Sequence, residues 1–187
     1  MALDTDASTS PPRSLRITVP ASTGSYPDVG LSRSETTLAA QVHIALDVRI
    51  SGKIPPQKVT PVWLRLTTPP AGPGLNGNIM LRTGPSAADI HEDLFGADGG
   101  NWARTNPLTA YLVGDRWWHV EIDLKLDSPR IKITFRDDTG IETTAVDVPL
   151  LPQWAKAMPT LVLVPTDYPP VDGYAVDFDN VVYDLKP

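Results

Sequence analysis

The chain has 187 residues, and at roughly 150 residues per domain that length argues for a single domain. Sixteen Lys and Arg stand against 22 Asp and Glu, a net charge of −6, which disfavours a general nucleic-acid binder. Cysteine is absent, so disulfides, thiolate zinc sites and cysteine nucleophiles are excluded together.

Proline, at 20 residues beside an ordinary 13 glycines, reads as many turns and strand edges rather than a flexible linker. No run has the length of a membrane-spanning helix. Met1-Ala2-Leu3-Asp4 leads straight into polar sequence without a visible signal peptide, which leaves two readings: a cytosolic protein, or one whose targeting segment has been removed. Residues 1–13, polar and ending in Pro11-Pro12-Arg13, read as a flexible N-terminal arm, and 14–187 as one domain.

In chain order, Leu15, Ile17 and Val19 alternate with Arg16 and Thr18 as a short half-buried strand, and Ser22 to Arg33 reads as a loop. Val42, Ile44, Leu46, Val48 and Ile50 then share one face, with His43, Asp47 and Arg49 on the other; a period of two over that length is a strand. Val62, Leu64 and Leu66 resume the pattern with Trp63 and Arg65 opposite. Pro69 to Gly77 reads as a long turn closing on Asn76-Gly77, a hairpin signal, before a strand at Ile79 to Leu81. Ser86 to Phe95 fits two elements: a short helix capped by Ser86 and Asp89 and ended by Gly96, or a strand. Ala97 to Pro107 reads as a loop carrying Trp102.

The clearest stretch puts Trp118, Val120, Ile122, Leu124 and Leu126 on one face and Trp117, His119, Glu121, Asp123 and Lys125 on the other. Ile131, Ile133 and Phe135 return inward, and Ile141 to Val148 makes a third antiparallel strand, giving a meander with one dry and one wet face. Leu151 to Met158 reads as a single helical turn, and the apolar run Leu161 to Val164 as a strand buried on both faces. From Tyr174 to Leu185 the alternation changes phase, which predicts a bulge near Asp179-Asn180. About nine to eleven short strands and little helix predict an all-β fold, a two-sheet antiparallel jelly-roll sandwich.

Three segments carry a family resemblance. Gly114-Asp115-Arg116-Trp117-Trp118-His119-Val120-Glu121-Ile122 resembles the G-x-W-h-x-V-x-I strand of laminin-G-like, concanavalin A-like domains, followed here by Ile133-Thr134-Phe135-Arg136-Asp137-Asp138. Val176-Asp177-Phe178-Asp179-Asn180-Val181 resembles the closing strand of bacterial members, and Ser10-Pro11-Pro12-Arg13-Ser14-Leu15 the approach to their first core strand. The resemblance implies a curved sandwich with adjacent N- and C-terminal strands. It also implies an exported, surface-attached bacterial domain that binds carbohydrate or peptide.

Glycoside hydrolases of this superfold carry paired carboxylates on one strand. Here Glu121 and Asp123 share a face, but the next catalytic carboxylate is replaced by Lys125-Leu126, so a solvated strand face is the better reading. His43, His91 and His119 show no zinc-ligand spacing, and neither a nucleophile elbow nor a phosphate-cradling glycine loop occurs. No cofactor is expected; a structural calcium on Asp167, Asp172, Asp177 and Asp179, or on Asp98 and Asn101, is weighed and set below turn caps and an outer strand face.

Sugar binding needs a flat aromatic with planar polar groups beside it, and Trp63, Trp102 and Trp117 lie outside the predicted core alternation. The resulting expectation is a non-catalytic binding or adhesion module, secreted or at the cell surface. A glycan or surface protein is its partner, and neither nucleic acid nor a membrane span is involved. Trp102 and Trp117 serve as anchors, and Asn101 and Asp98 as polar partners. The alternatives are a structural or protein-assembly domain, and a diverged glycan-cleaving enzyme resting on Glu121 and Asp123. The acidic balance speaks weakly against anionic ligands.

Overall fold

The computed structural model describes residues 2–4, 14–19, 31–34, 38–52, 59–68, 76–96, 100–112, 114–155, 157–163 and 173–187. In chain order the strands are β1 (Ala2–Asp4), β2 (Ser14–Val19), β3 (Leu31–Ser34), β4 (Gln41–Gly52), β5 (Val59–Thr67), β6 (Asn76–Thr83) and β7 (Ala88–Phe95). They continue as β8 (Asn101–Pro107), β9 (Trp117–Lys125), β10 (Arg130–Asp137), β11 (Glu142–Pro149), β12 (Met158–Leu163) and β13 (Tyr174–Lys186). A seven-stranded sheet has the order β1-β2-β13-β4-β9-β10-β11, and a six-stranded sheet the order β3-β12-β5-β6-β7-β8. All pairings are antiparallel. Among the described residues the helical content is one 3-10 turn, Pro152–Trp154. The all-β jelly-roll sandwich read from the sequence is the fold.

Alternation builds the core. Ile44 lies opposite Ile122 and Leu46 opposite Val120, and all four are essentially buried. Leu64, Leu66, Ile79, Leu81, Ile90 and Leu94 of the other sheet join them in one apolar cluster. Each such side chain contributes roughly 1.5–3 kcal/mol by leaving water. A one-residue slip of β4 would turn its whole apolar set outward, so burial also fixes the register. Trp118 and Phe135 meet edge to face, with ring centroids 6.3 Å apart.

The expected bulge is present. The β13–β4 register shifts between Asp179 and Val182, and Asn180 adopts φ +49°, a left-handed conformation that asparagine tolerates. Phe178 and Tyr183, of opposite parity, therefore both point inward.

Of the two elements that Ser86–Phe95 fits, the strand is the one present: Ala88–Phe95 forms β7, paired on both edges. Four local expectations are corrected. The segment read as the Trp102 loop contains β8, an edge strand, and the end of the Ser22–Arg33 loop contains the start of β3. Asn76 and Gly77 belong to β6, opposite Phe95 and Leu94, and do not turn the chain. Glycine is needed there because a Cβ would run into the Trp154 ring and the Asp93 carbonyl oxygen. Finally, β12 is not buried on both faces: Leu161 and Leu163 are buried, while Thr160 and Val162 are partly exposed. Within the stretch read as the arm, Ala2–Asp4 pairs with β2, and 5–13 lie outside the described residues.

One charged side chain faces inward and is fully satisfied. Glu92, 0% exposed, accepts from Arg104 Nε at 2.8 Å, Asn106 Nδ2 at 3.2 Å, the Leu151 backbone N–H at 3.0 Å and Trp154 Nε1 at 3.2 Å. A buried carboxylate is tolerated only with such partners. Here it clamps edge strand β8 and the 3-10 turn to the six-stranded sheet.

Candidate functional site

Each sheet presents one outer face, and register decides which side chains share it. On the six-stranded sheet, Trp63 of β5 lies opposite Met80 of β6, Met80 opposite His91 of β7, and His91 opposite Thr105 of β8. The next row is Arg65, Asn78, Asp93 and Ala103. Strands lie about 4.8 Å apart, so Trp63 and His91 stand about 10 Å from each other across the buried Met80. That gap is wide enough for a sugar ring lying on Met80 and Asn78.

The polar groups around this floor are oriented. His91 Nε2 lies 2.9 Å from Asp93 Oδ1, and Nδ1 lies 2.9 Å from the Thr105 hydroxyl. A strand places residues i and i+2 on one face, which is why His91 and Asp93 meet. A hydroxyl donates or accepts, so Nδ1 takes up or releases a proton without breaking a charged pair. Trp63 Nε1 donates to Asn78 Oδ1 at 2.7 Å, which leaves the Asn78 amide N–H groups as donors. The Arg65 guanidinium lies over the Trp63 ring, 5.4 Å from its centroid, and makes no ion pair among the described residues. Beside them is a cavity of about 360 Å³ lined by Trp63, Arg65, Asn76, Asn78 and Phe95.

The central part of the seven-stranded sheet's outer face is equally polar but closed on itself. His119 Nδ1 lies 2.8 Å from Asp47 and Nε2 3.1 Å from Glu121. Arg136 contacts Glu142 at 3.1 Å and Glu121 at 3.8 Å. Arg49 donates to the buried Asp177 at 3.0 Å, and Asn180 Nδ2 to Asp47 at 2.6 Å. His43 contacts Asp123 at 2.8 Å. Glu121 and Asp123 do share a face, as the alternation requires, and each is bound to a histidine.

The anchors and polar partners chosen from the sequence do not converge. Trp102 and Asn101 lie on edge strand β8 of one sheet, while Trp117 lies on β9 of the other, under the Arg49 guanidinium at 5.3 Å. Asp98 lies outside the described residues, as do Asp167 and Asp172. Asp177 is bound to Arg49 and approached by Arg16, and Asp179 accepts from the Asn180 backbone N–H at 2.8 Å. Among the described residues no group of three or more metal-ligating side chains comes together. His91, Asp93 and Arg65 were not among the candidates. The available signal was H-x-D within an alternating segment, visible only once Ser86–Phe95 is taken as a strand.

No family model and no curated relative matches the chain. Solved structures do. An endo-β-1,4-glucuronan lyase from the fungus Trichoderma reesei superposes with a TM-score of 0.68 at 14% identity, covering 99% of this chain and 86% of that one. A family 7 alginate lyase, in a substrate complex with a histidine and a tyrosine replaced, gives 0.64 at 11%, covering 98% and 80%. A further alginate lyase, bound to an alginate tetrasaccharide, gives 0.54 at 11%, covering 92% and 81%. The chain thus shares the jelly-roll sandwich fold of these polysaccharide lyases; a laminin-G family is not what these comparisons bring out.

This finding overturns the expectation of a non-catalytic adhesion module, and with it the expectation that the chain is no enzyme. Both rested on analogy with binding domains, whereas the structural likeness runs to carbohydrate-processing enzymes. At these identities the likeness establishes the fold, and the reaction has to be argued from the residues.

Proposed function

We propose that the chain is a polysaccharide lyase that cleaves a uronic-acid polymer by β-elimination on the outer face of its six-stranded sheet. The observation that carries this reading is His91, held between Asp93 and Thr105, two strands from the uncommitted Arg65 and next to the free amide donors of Asn78.

β-Elimination at a 4-linked uronate has three requirements. The carboxylate must be neutralised so that negative charge can develop beside it, a base must take the C5 proton, and the departing O4 must gain one. Arg65 suits the carboxylate because its planar guanidinium pairs with two oxygens at once. Asn78 adds neutral donors to the same group, and Trp63 offers a ring face to the sugar. His91 Nδ1 removes the C5 proton, the electron pair forms the C4=C5 bond, and the C4–O4 bond breaks. No tyrosine stands on this face among the described residues, so we assign return of the proton to O4 to His91 itself. Asp93 fixes the ring while it carries that proton.

The net charge of −6 does not oppose an anionic substrate here, since the cation that would meet it has no carboxylate partner among the described residues. A polymeric substrate also fits the expectation of export, which belongs to the same proposal and is checked by fractionating cells of the source organism. Alginate and glucuronan, the polymers cleaved by the neighbours, are both polyuronates. The test is incubation of the purified chain with alginate, polyglucuronate and a neutral β-glucan. Ultraviolet absorbance from the new double bond is expected with a polyuronate and not with the glucan. Silence on both polyuronates ends the proposal.

A further inference from the structure

At one end of the seven-stranded sheet's outer face, away from His119, lies a depression of about 330 Å³. Its first row runs Lys186, Gln41, Lys125, Arg130 across β13, β4, β9 and β10, and Lys132 stands in the next row. The acidic groups here are Asp123, Asp147 and Asp184. Asp123 is bound to His43 at 2.8 Å and Asp147 to Arg130 at 2.6 Å. Lys125, Lys132 and Lys186 are exposed and make no ion pair among the described residues. Three uncommitted cations, against one uncommitted carboxylate, Asp184, thus share one groove of an otherwise acidic protein.

We propose that this groove is a non-catalytic holding site for a carboxylated polysaccharide chain. Successive strands lie about 4.8 Å apart, close to the length of one pyranose ring, so the cations fall along a linear glycan at nearly its own repeat. Lys186 and Lys125, two strands apart, meet carboxylates on alternate sugars, and Lys132 takes one from the flank. The Gln41 amide between the two lysines offers donors and an acceptor to ring hydroxyls. The groove's histidine, His43, keeps Nδ1 on Asp123. A holding site on the sheet opposite the cleavage face keeps a long polymer near the enzyme after each cut, raising its effective concentration. The ligand class rests on the lyase reading; the groove and its free lysines do not.

The test is electrophoresis through gels containing alginate or a neutral glucan. The chain carrying His91→Ala, which cannot cut the gel polymer, is expected to be retarded by alginate alone. Adding Lys125→Ala, Lys132→Ala and Lys186→Ala together is expected to weaken that retention about tenfold, the sum of three exposed charge contacts. The midpoint of thermal unfolding should stay unchanged. In the otherwise native chain the same three changes should leave turnover of short oligouronates intact while slowing that of the long polymer.

Equal retention with and without the lysines overturns the proposal, as does loss of retention through His91→Ala alone. Tighter, lysine-dependent retention by single-stranded DNA overturns the choice of glycan. Lysine-dependent retention by alginate, with no double bond formed on any polyuronate, leaves this site standing and removes the lyase.

Discussion

On the seven-stranded sheet the central side chains of the outer face are tied to one another: His119 to Asp47 and Glu121, Arg136 to Glu142, Arg49 to Asp177. On the six-stranded sheet the same residue types are present, but Arg65 lies on a tryptophan instead of a carboxylate, and His91 has a carboxylate on one nitrogen only. Both faces come from the same alternation, and composition does not separate them. What differs is how many groups still have a bond to offer. A carboxylate only accepts, so a ring gripped by two of them has neither nitrogen left for a substrate, whereas a hydroxyl partner yields.

The largest expected effect exploits that difference. His91→Ala should lower polyuronate turnover by about 10²–10⁴, the usual worth of a positioned acid–base group. His119→Ala, its counterpart on the other face, should leave turnover unchanged and cost about 1 kcal/mol of stability through its lost hydrogen bonds. Steady-state rates and thermal melts on both variants decide it. Equal loss of turnover in the two would erase the distinction between the faces.

The second effect concerns what holds the candidate face in shape. Glu92→Ala strands the Trp154 indole N–H and the Leu151 amide without their acceptor and releases Arg104. A loss of about 3 kcal/mol, or about 10 °C in melting temperature, should follow. Glu92→Gln keeps an acceptor and should lose less. No comparable drop is expected from Asp123→Ala on the other sheet, because Asp123 is more than half exposed, at 53%.

These two sites were legible to very different degrees. Strands β4, β9 and β10 could be read residue by residue, because a strand with one dry face writes its register into the sequence. Even the β13 bulge was visible as a change of phase. Strand β8 was not, because its inward positions include Arg104 and Asn106, satisfied by Glu92 rather than by apolar packing. Without that partner in view, Asn101–Pro107 is a polar loop. The candidate site was hidden for a related reason: Trp63 and Asn78, or His91 and Thr105, become neighbours only through strand register. Single tryptophans chosen by exposure landed on two different sheets.

A smaller effect tests the two tryptophans against each other. Trp63→Ala removes the ring face beside Met80 and the seat of Arg65, and should raise KM for a polyuronate about tenfold with a lesser change in kcat. Trp117→Ala, which removes only the ring beneath Arg49, should leave both constants alone. A rise in KM from Trp117 instead would move substrate binding to the seven-stranded sheet.

The smallest effect lies outside both faces, in the turn between β10 and β11. The Thr139 hydroxyl donates to Asp137 Oδ1 at 2.6 Å, and the backbone N–H groups of Thr139 and Ile141 donate to the same oxygen at 3.0 and 3.3 Å. The Thr139 hydroxyl foremost, then these amides and the Arg116 charge, hold the Asp137 carboxyl below its ordinary range. A group whose pKa is lower folded than unfolded stabilises the fold while it is ionised in both states, and that contribution fades as pH falls through the ordinary aspartate range and below it. Asp137→Asn should therefore melt slightly below the native chain at neutral pH, and the gap should close in acid. Because neither outer face takes part in this turn, turnover measured at neutral pH should not change. A gap that widened in acid would mean that the turn is held by something other than the ionised carboxylate.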